Sequence, residues 1–141
     1  GLARAMQVVR TQGGLIDPII HFFSQSLGGF SPWLAAIGIF VVTLLADGLI
    51  PSGSGKAIAI MPIIIPLADM LGITRQTATL AYQFGDGFAN MYWFTNGTLL
   101  IFLAVSKVPL RKWYKFLWPL QIVLTVIAIA FLGIAIATNY Q

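Results

Sequence analysis

Residues 33–71 read WLAAIGIFVVTLLADGLI, then PSGSGK, then AIAIMPIIIPLADML: two apolar runs separated by the short stretch from Pro51 to Lys56. The first run carries one charge, Asp47, and is preceded by Ser31-Pro32, an N-cap residue followed by a proline suited to the first helical turn. The spacing predicts a helix from Trp33 to Ile50. The second run, residues 57–71, contains Pro62 and Pro66. A transmembrane helix needs about 20 apolar residues, so neither run has length to spare. Two arrangements fit: two spans joined by a surface turn, or a hairpin that enters the membrane, turns inside it and leaves on the same side. The Gly/Ser composition of the turn favours the hairpin, because irregular backbone at membrane depth is tolerated only where protein or a water-filled site surrounds it.

The rest of the chain supports a membrane setting. Of 141 residues, 58% are hydrophobic and 9% charged, and the mean hydropathy is +0.89. A soluble domain is roughly 25% charged, so a water-soluble globule is excluded. At about 1.5 Å per residue the chain gives roughly 210 Å of helix, enough for about four or five crossings once turns are subtracted. That is short for a complete transporter. The chain opens on Gly1 with no signal-peptide pattern, so it is expected to be a piece of something longer. The absence of cysteine removes disulfides, thiolate nucleophiles and cysteine metal sites. A net charge of +4 in such a chain marks cytoplasmic loops and lipid head groups, not nucleic acid. No Ser-His-Asp or metal constellation is present; His21 stands alone on the polar side of an amphipathic stretch, and no enzyme activity is expected.

Working outward from the hairpin, the chain is read as a single unit, 1–141. Residues 1–30 give a partial helix ended by Gly13-Gly14 and an amphipathic arm, 15–27, suited to the membrane interface. The hairpin covers 33–72 with its tip at 51–56. Residues 76–106 are too long for one straight span and include Phe94-Thr95-Asn96-Gly97-Thr98, which predicts a broken helix with halves near 76–93 and 99–106. A last span covers 113–138, with Trp113, Tyr114 and Trp118 at one end and Tyr140 at the other, as interfacial aromatics require. Lys107, Arg111, Lys112 and Lys115 cluster at the connection into it and place loop 107–115 in the cytoplasm. The C-terminus and both hairpin ends are then outside, and the tip reaches inward to the midplane.

The two interruptions, PSGSGKA and FTNGT, carry the chemistry. A helix broken inside the bilayer presents backbone N–H groups at one end and carbonyls at the other, so two facing breaks can hold an anion and a cation together. Expected substrate ligands are Ser52, Gly53, Ser54, Gly55, Lys56, Asn96, Gly97 and Thr98. Expected coupling-ion residues are Ser54, Asp86, Asn90, Thr95 and Asn96, for Na⁺ or H⁺, with no other metal or cofactor. The bland alternative is a surface turn and a packing kink, since small residues commonly line helix contacts in membranes. Lys56 has three readings: a substrate-carboxylate ligand, a partner for a buried Asp, or a side chain in an aqueous vestibule. It does not end a phosphate-binding loop, because position 50 is Ile and position 57 is Ala. Asp86, between Gly85 and Gly87, costs at least ~2.5 kcal/mol to bury ionised and needs a partner or a proton. It fits ion coupling, contact with a substrate ammonium, or a structural helix cap. Asp47 is placed to pair with Lys56, and Asp69, nearer a surface, reads as structural.

Residues 50–90, IPSGSGKAIAIMPIIIPLADMLGITRQTATLAYQFGDGFAN, together with GLARAMQVV at the start and KWYKFLWPL before the last span, resemble YfcC-type carriers of the C4-dicarboxylate anaerobic carrier (DcuC) family, within the wider ion transporter superfamily. Pro62, Pro66, PLAD at 66–69 and QFGDG at 83–87 follow that family's order. The resemblance implies an all-α integral membrane fold in which this chain is the C-terminal half of an inverted-repeat, elevator-type transporter. It carries a re-entrant hairpin, a broken helix and a final span, and a companion N-terminal repeat completes it. It implies ion-coupled secondary transport of a small carboxylate-bearing solute, a C4-dicarboxylate, another organic acid or an amino acid. A homodimer in the lipid of a bacterial inner membrane is the expected assembly. The related divalent-anion symporters carry Ser-Asn-Thr at their tips, whereas this chain has Ser52-Gly53-Ser54-Gly55 and Thr95-Asn96-Gly97-Thr98. The alternative from another class is a small oligomeric channel or a non-transporting membrane scaffold.

Overall fold

A computed structural model describes residues 31–140, and every regular element in that range is helical. The expectations for residues 1–30, including the interfacial arm and His21, lie outside the described residues. The described helices are α1 (Pro32–Asp47), α2 (Gly53–Met70), α3 (Arg75–Tyr92), α4 (Gly97–Val105) and α5 (Leu110–Ala137). By length and composition α2 and α5 can each cross a membrane, and α3 with α4, bent by 41° at their break, can form a third span.

Several boundaries differ from the sequence reading for local reasons. The stretch 51–56 is not all turn: α2 begins at Gly53 because Ser52 adopts an extended backbone and its hydroxyl accepts the Gly55 amide at 3.3 Å. Lys56 therefore lies in the first helical turn. Likewise α4 begins at Gly97, because the Asn96 side chain accepts the amides of Thr98 and Leu99, so Gly97 and Thr98 are helical rather than unwound. The last helix starts at Leu110, directly after Pro109, three residues before Trp113. Pro62 and Pro66 sit within α2 without ending it, each removing one N–H from the ladder.

The packing sets the hairpin's direction. Both of its open ends lie beside the C-terminal end of α5: Trp33 approaches Gly133, and the Thr74 hydroxyl donates to the Tyr140 carbonyl. Its tip docks against α3 at Tyr82 and Asp86, and Trp93, just past the end of α3, donates Nε1 to the Leu44 carbonyl of α1 at 2.6 Å. Close approach of α1 and α3 depends on Gly85. A Cβ there would stand 2.6 Å from the Phe40 carbonyl oxygen and 2.8 Å from Thr43 Cβ. Ala35, Ala36, Ile39 and Phe40 of α1 bury against Ala78, Ala81 and Tyr82 of α3, with Ile64 and Ala68 of α2 and Leu132 of α5 closing the core. Outside that core, Val42, Leu45, Ile58, Ile101, Phe102, Val126 and Ile134 are exposed, an apolar exterior suited to lipid or to further protein.

Candidate functional site

At the hairpin tip, three charges meet. Lys56 and Asp47 are fully buried, and the Lys56 ammonium bonds Asp47 Oδ1 across the turn from α2 to the last residue of α1. The same ammonium stands 2.6 Å from Asp86 Oδ1 on α3, in an orientation that makes an ion pair rather than a directed hydrogen bond. Of the three readings of Lys56, the structure has the ion pair. Asp86 is 17% exposed, and Asp47 Oδ2 is buried without any partner. Ionised, the cluster carries two negative charges and one positive.

A polar line continues from this cluster to the second break. Asn90 Nδ2 donates to the Asp86 carbonyl at 2.9 Å and reaches Asp86 Oδ2 at 3.5 Å. Asn96 Nδ2 donates in turn to Asn90 Oδ1 at 2.7 Å and to the Asn90 carbonyl at 3.1 Å, while Asn96 Oδ1 caps α4. Asp47, Lys56, Asp86, Asn90 and Asn96 thus join the hairpin tip to the start of α4 through side chains alone. Thr98 borders a groove of about 560 Å³ beside the break, with Asn90 and Asn96 at its polar edge and Phe102, Leu103 and Trp113 on its apolar wall. Thr95 and Ser54 are exposed and stand apart from this line. Asp69 pairs with Arg75 across the turn between α2 and α3, exposed and outside the cluster.

The two breaks treat their backbone differently. At the end of α3 the carbonyls of Asn90, Met91, Tyr92 and Trp93 each accept a hydrogen bond, from Asn96 Nδ2, Trp113 Nε1, the Tyr114 hydroxyl and the Asn96 amide. Trp113 and Tyr114, read from sequence as interfacial aromatics, spend their polar atoms on this break because carbonyls freed within a membrane demand donors. The tip is open by contrast. Ser52, Gly53, Ser54 and Gly55 are exposed, and the amides of Gly53 and Ser54, as first-turn donors, have no partner within α2. Tyr82, which sequence reasoning did not single out, donates its hydroxyl to the Gly53 carbonyl at 3.2 Å and ties the tip to α3. Its one available signal was its place one helical turn before Asp86.

Comparison with known proteins adds to this geometry. The model of the family described as the C4-dicarboxylate anaerobic carrier (DcuC) matches residues 1–137. An uncharacterized protein of Haemophilus influenzae is 34% identical over 120 residues, covering 85% of this chain and 23% of that protein. An Escherichia coli protein named "Putative basic amino acid antiporter YfcC" is 33% identical over 101 residues, covering 72% of this chain and 20% of that protein. The chain therefore spans about a fifth to a quarter of the length of these curated relatives. No solved structure matches the chain.

Proposed function

Because the chain belongs to the C4-dicarboxylate anaerobic carrier family, we propose that it supplies the C-terminal repeat of a secondary carrier moving a small carboxylate-bearing solute across a bacterial inner membrane, driven by Na⁺ or H⁺. The observation that carries this reading is the side-chain line from the buried Asp47 and Lys56 through the part-buried Asp86 and Asn90 to Asn96, which joins two helix breaks inside an apolar helical body. Charges at that depth are costly and mark pathways rather than scaffolding. In this reading the exposed tip, Ser52 to Gly55 with Ser54 foremost, offers helix N-terminal amides to a carboxylate. Asp86, beside it, answers to the coupling ion. The sealed break at 93–96 serves as a rigid bearing, with Asn96 and Thr98 at the edge of the groove beside it. The α1–α2 hairpin is then re-entrant, with its open ends and the C-terminus outside and loop 107–115 in the cytoplasm. An inverted N-terminal companion completes the cavity and a homodimer completes the elevator.

The test is uptake by the reconstituted full-length carrier under imposed Na⁺ and pH gradients, with radiolabelled carboxylates and amino acids as probes. Ser54→Ala and Asp86→Asn are expected to abolish gradient-driven uptake while leaving the protein monodisperse. Conductance that needs no gradient would instead support a channel, and uptake untouched in both variants would remove the site.

A further inference from the structure

We infer that the start of α5 seats an anionic phospholipid, its phosphodiester held by Arg111, Lys115 and the Trp118 indole N–H and its acyl chains laid along the outer face of the helix. The inference rests on the membrane placement in the reading above and is independent of the hairpin tip.

Residues 87–141 hold four cations, Lys107, Arg111, Lys112 and Lys115, and no Asp or Glu. All four are exposed, and none meets a carboxylate among the described residues. Their backbone is fixed: the Lys107 and Val108 amides bond back to the Ala104 and Leu103 carbonyls, and α5 starts directly after Pro109. Arg111, Lys115 and Trp118 follow at spacings of four and three, which puts them on one face of α5 with neighbouring Cβ atoms about 5–6 Å apart. Trp118 is 59% exposed and its Nε1 has no acceptor among the described residues, whereas Trp93 and Trp113 both donate to carbonyls. This face therefore offers positive charge and hydrogen-bond donors without an acidic side chain. A phosphodiester is its complement, since it carries one negative charge and only accepts. A zwitterionic head group adds an ammonium, and the segment has no carboxylate to receive it.

Shape supplies the second step. Lys115 and Trp118 line a cleft of about 450 Å³ together with Tyr92, Tyr114 and Pro119. Its aromatic wall is braced from within: the Tyr92 ring lies 6.1 Å from that of Trp118 at 26° and 5.7 Å from that of Tyr114, whose hydroxyl donates to the Tyr92 carbonyl. Beyond the cleft the same face turns aliphatic, for Ile122 and Val126, on the next two turns, are 56% and 63% exposed. From Lys115 to Val126 is about 16 Å along the helix axis, close to the ~15 Å of hydrocarbon in one leaflet. Cation, aromatic ring and aliphatic stripe thus succeed one another in the order of phosphate, glycerol and acyl chain. A free phosphate or an acidic peptide would engage the cations and leave the stripe uncovered. A lipid covers both.

The experiment uses the full-length carrier reconstituted in phosphatidylcholine vesicles with a minor fraction of phosphatidylglycerol. Brominated acyl chains on one lipid or the other quench nearby tryptophan, and the share of quenching lost in Trp118→Phe belongs to this face. Phosphatidylglycerol is expected to be enriched there about ten-fold over its share of the bilayer, and Arg111→Gln with Lys115→Gln to remove the enrichment. Lys107→Gln with Lys112→Gln, an equal loss of charge outside the stripe, is expected to lower it by about two-fold at most. A second measurement needs no variant: added to the carrier in neutral detergent, phosphatidylglycerol is expected to raise the melting temperature, while phosphatidylcholine with the same chains and glycerol 3-phosphate leave it unchanged. Quenching that tracks bulk composition, equal effects of the two Gln pairs, or a thermal shift with glycerol 3-phosphate would overturn the inference. Gradient-driven uptake in the same vesicles reports on the transport reading separately, and its absence with the enrichment intact overturns that reading alone.

Discussion

Replacing Lys56 with Met removes the one cation at the hairpin tip and leaves Asp47 and Asp86 facing each other across an apolar volume of similar size. Asp47 is fully buried and loses its only bonded donor; Asp86, 17% exposed, keeps the Asn90 amide. Breaking a buried pair by removing one partner costs about 3–5 kcal/mol, chiefly through the stranded charge. Lys56→Met is expected to destabilise by that amount. If the stranded charge is the cause, taking it away should restore stability: Asp47→Asn with Lys56→Met is expected to recover at least ~2 kcal/mol of the loss, because an amide is far cheaper to bury than a carboxylate. The assay is equilibrium unfolding of the full-length carrier in mixed detergent micelles, followed by tryptophan fluorescence. Trp93 is a local reporter, since its ring lies 3.0 Å from where a Gly48 Cβ would stand, one residue beyond Asp47. The differences should persist between low and high salt, because buried pairs are screened little. Lys56→Met within ~0.5 kcal/mol of wild type, or a double variant no better than the single one, would refute the charge accounting.

Three further outcomes follow from the packing. Gly85→Ala must push a methyl against the Phe40 carbonyl at 2.6 Å, a clash with backbone that cannot rotate away; a net loss of about 1–3 kcal/mol is expected despite alanine's better helix propensity, read by the same unfolding assay. Asn96→Ala removes the α4 cap and its link to Asn90, so hydrogen exchange at the Thr98 and Leu99 amides should accelerate, with about 1 kcal/mol lost overall. Neutralising Lys107, Arg111, Lys112 and Lys115 together should scramble the orientation of α5, seen as mixed accessibility of a C-terminal tag from the two sides of the membrane.

What was legible in the sequence is what depends on neighbours along the chain. The apolar runs, the Ser31-Pro32 start signal and the Pro-Ser-Gly and Thr-Asn-Gly interruptions are all local signals, and helices start close to each of them. Boundaries moved by a few residues because a cap draws the following glycines into its own helix, as at Gly53 and Gly97. The site was legible only as a set of candidates. Lys56 and Asp86 stood out as rare charges, but nothing along the chain says that Asp86, 30 positions after Lys56, shares its ammonium with Asp47. Tyr82, Trp93, Trp113 and Tyr114 were less visible still, since an aromatic ring reads as apolar bulk or interfacial anchor until its N–H or O–H is seen to meet a carbonyl.

Those aromatics explain how one small unit can hold two helix breaks of different character. At 93–96 the cost of interrupted backbone is met inside the chain, carbonyl by carbonyl, by Asn96, Trp113 and Tyr114, and the break has few valences left for a ligand. At 51–52 the reverse holds: the helix that follows opens on small, exposed residues whose first amides have no internal partner, and the buried charges beneath them are unbalanced. Gly85 permits this arrangement by letting α1 and α3 come close enough for Asp47 and Asp86 to reach the same ammonium. A bulkier residue there would separate the helices, and Lys56 would then keep one aspartate and lose the other. On this argument Gly85→Ala should impair substrate binding by more than its stability cost explains, whereas Asn96→Ala should impair it only as far as it unfolds α4. Measuring affinity and unfolding free energy on the same two variants separates the open break from the sealed one.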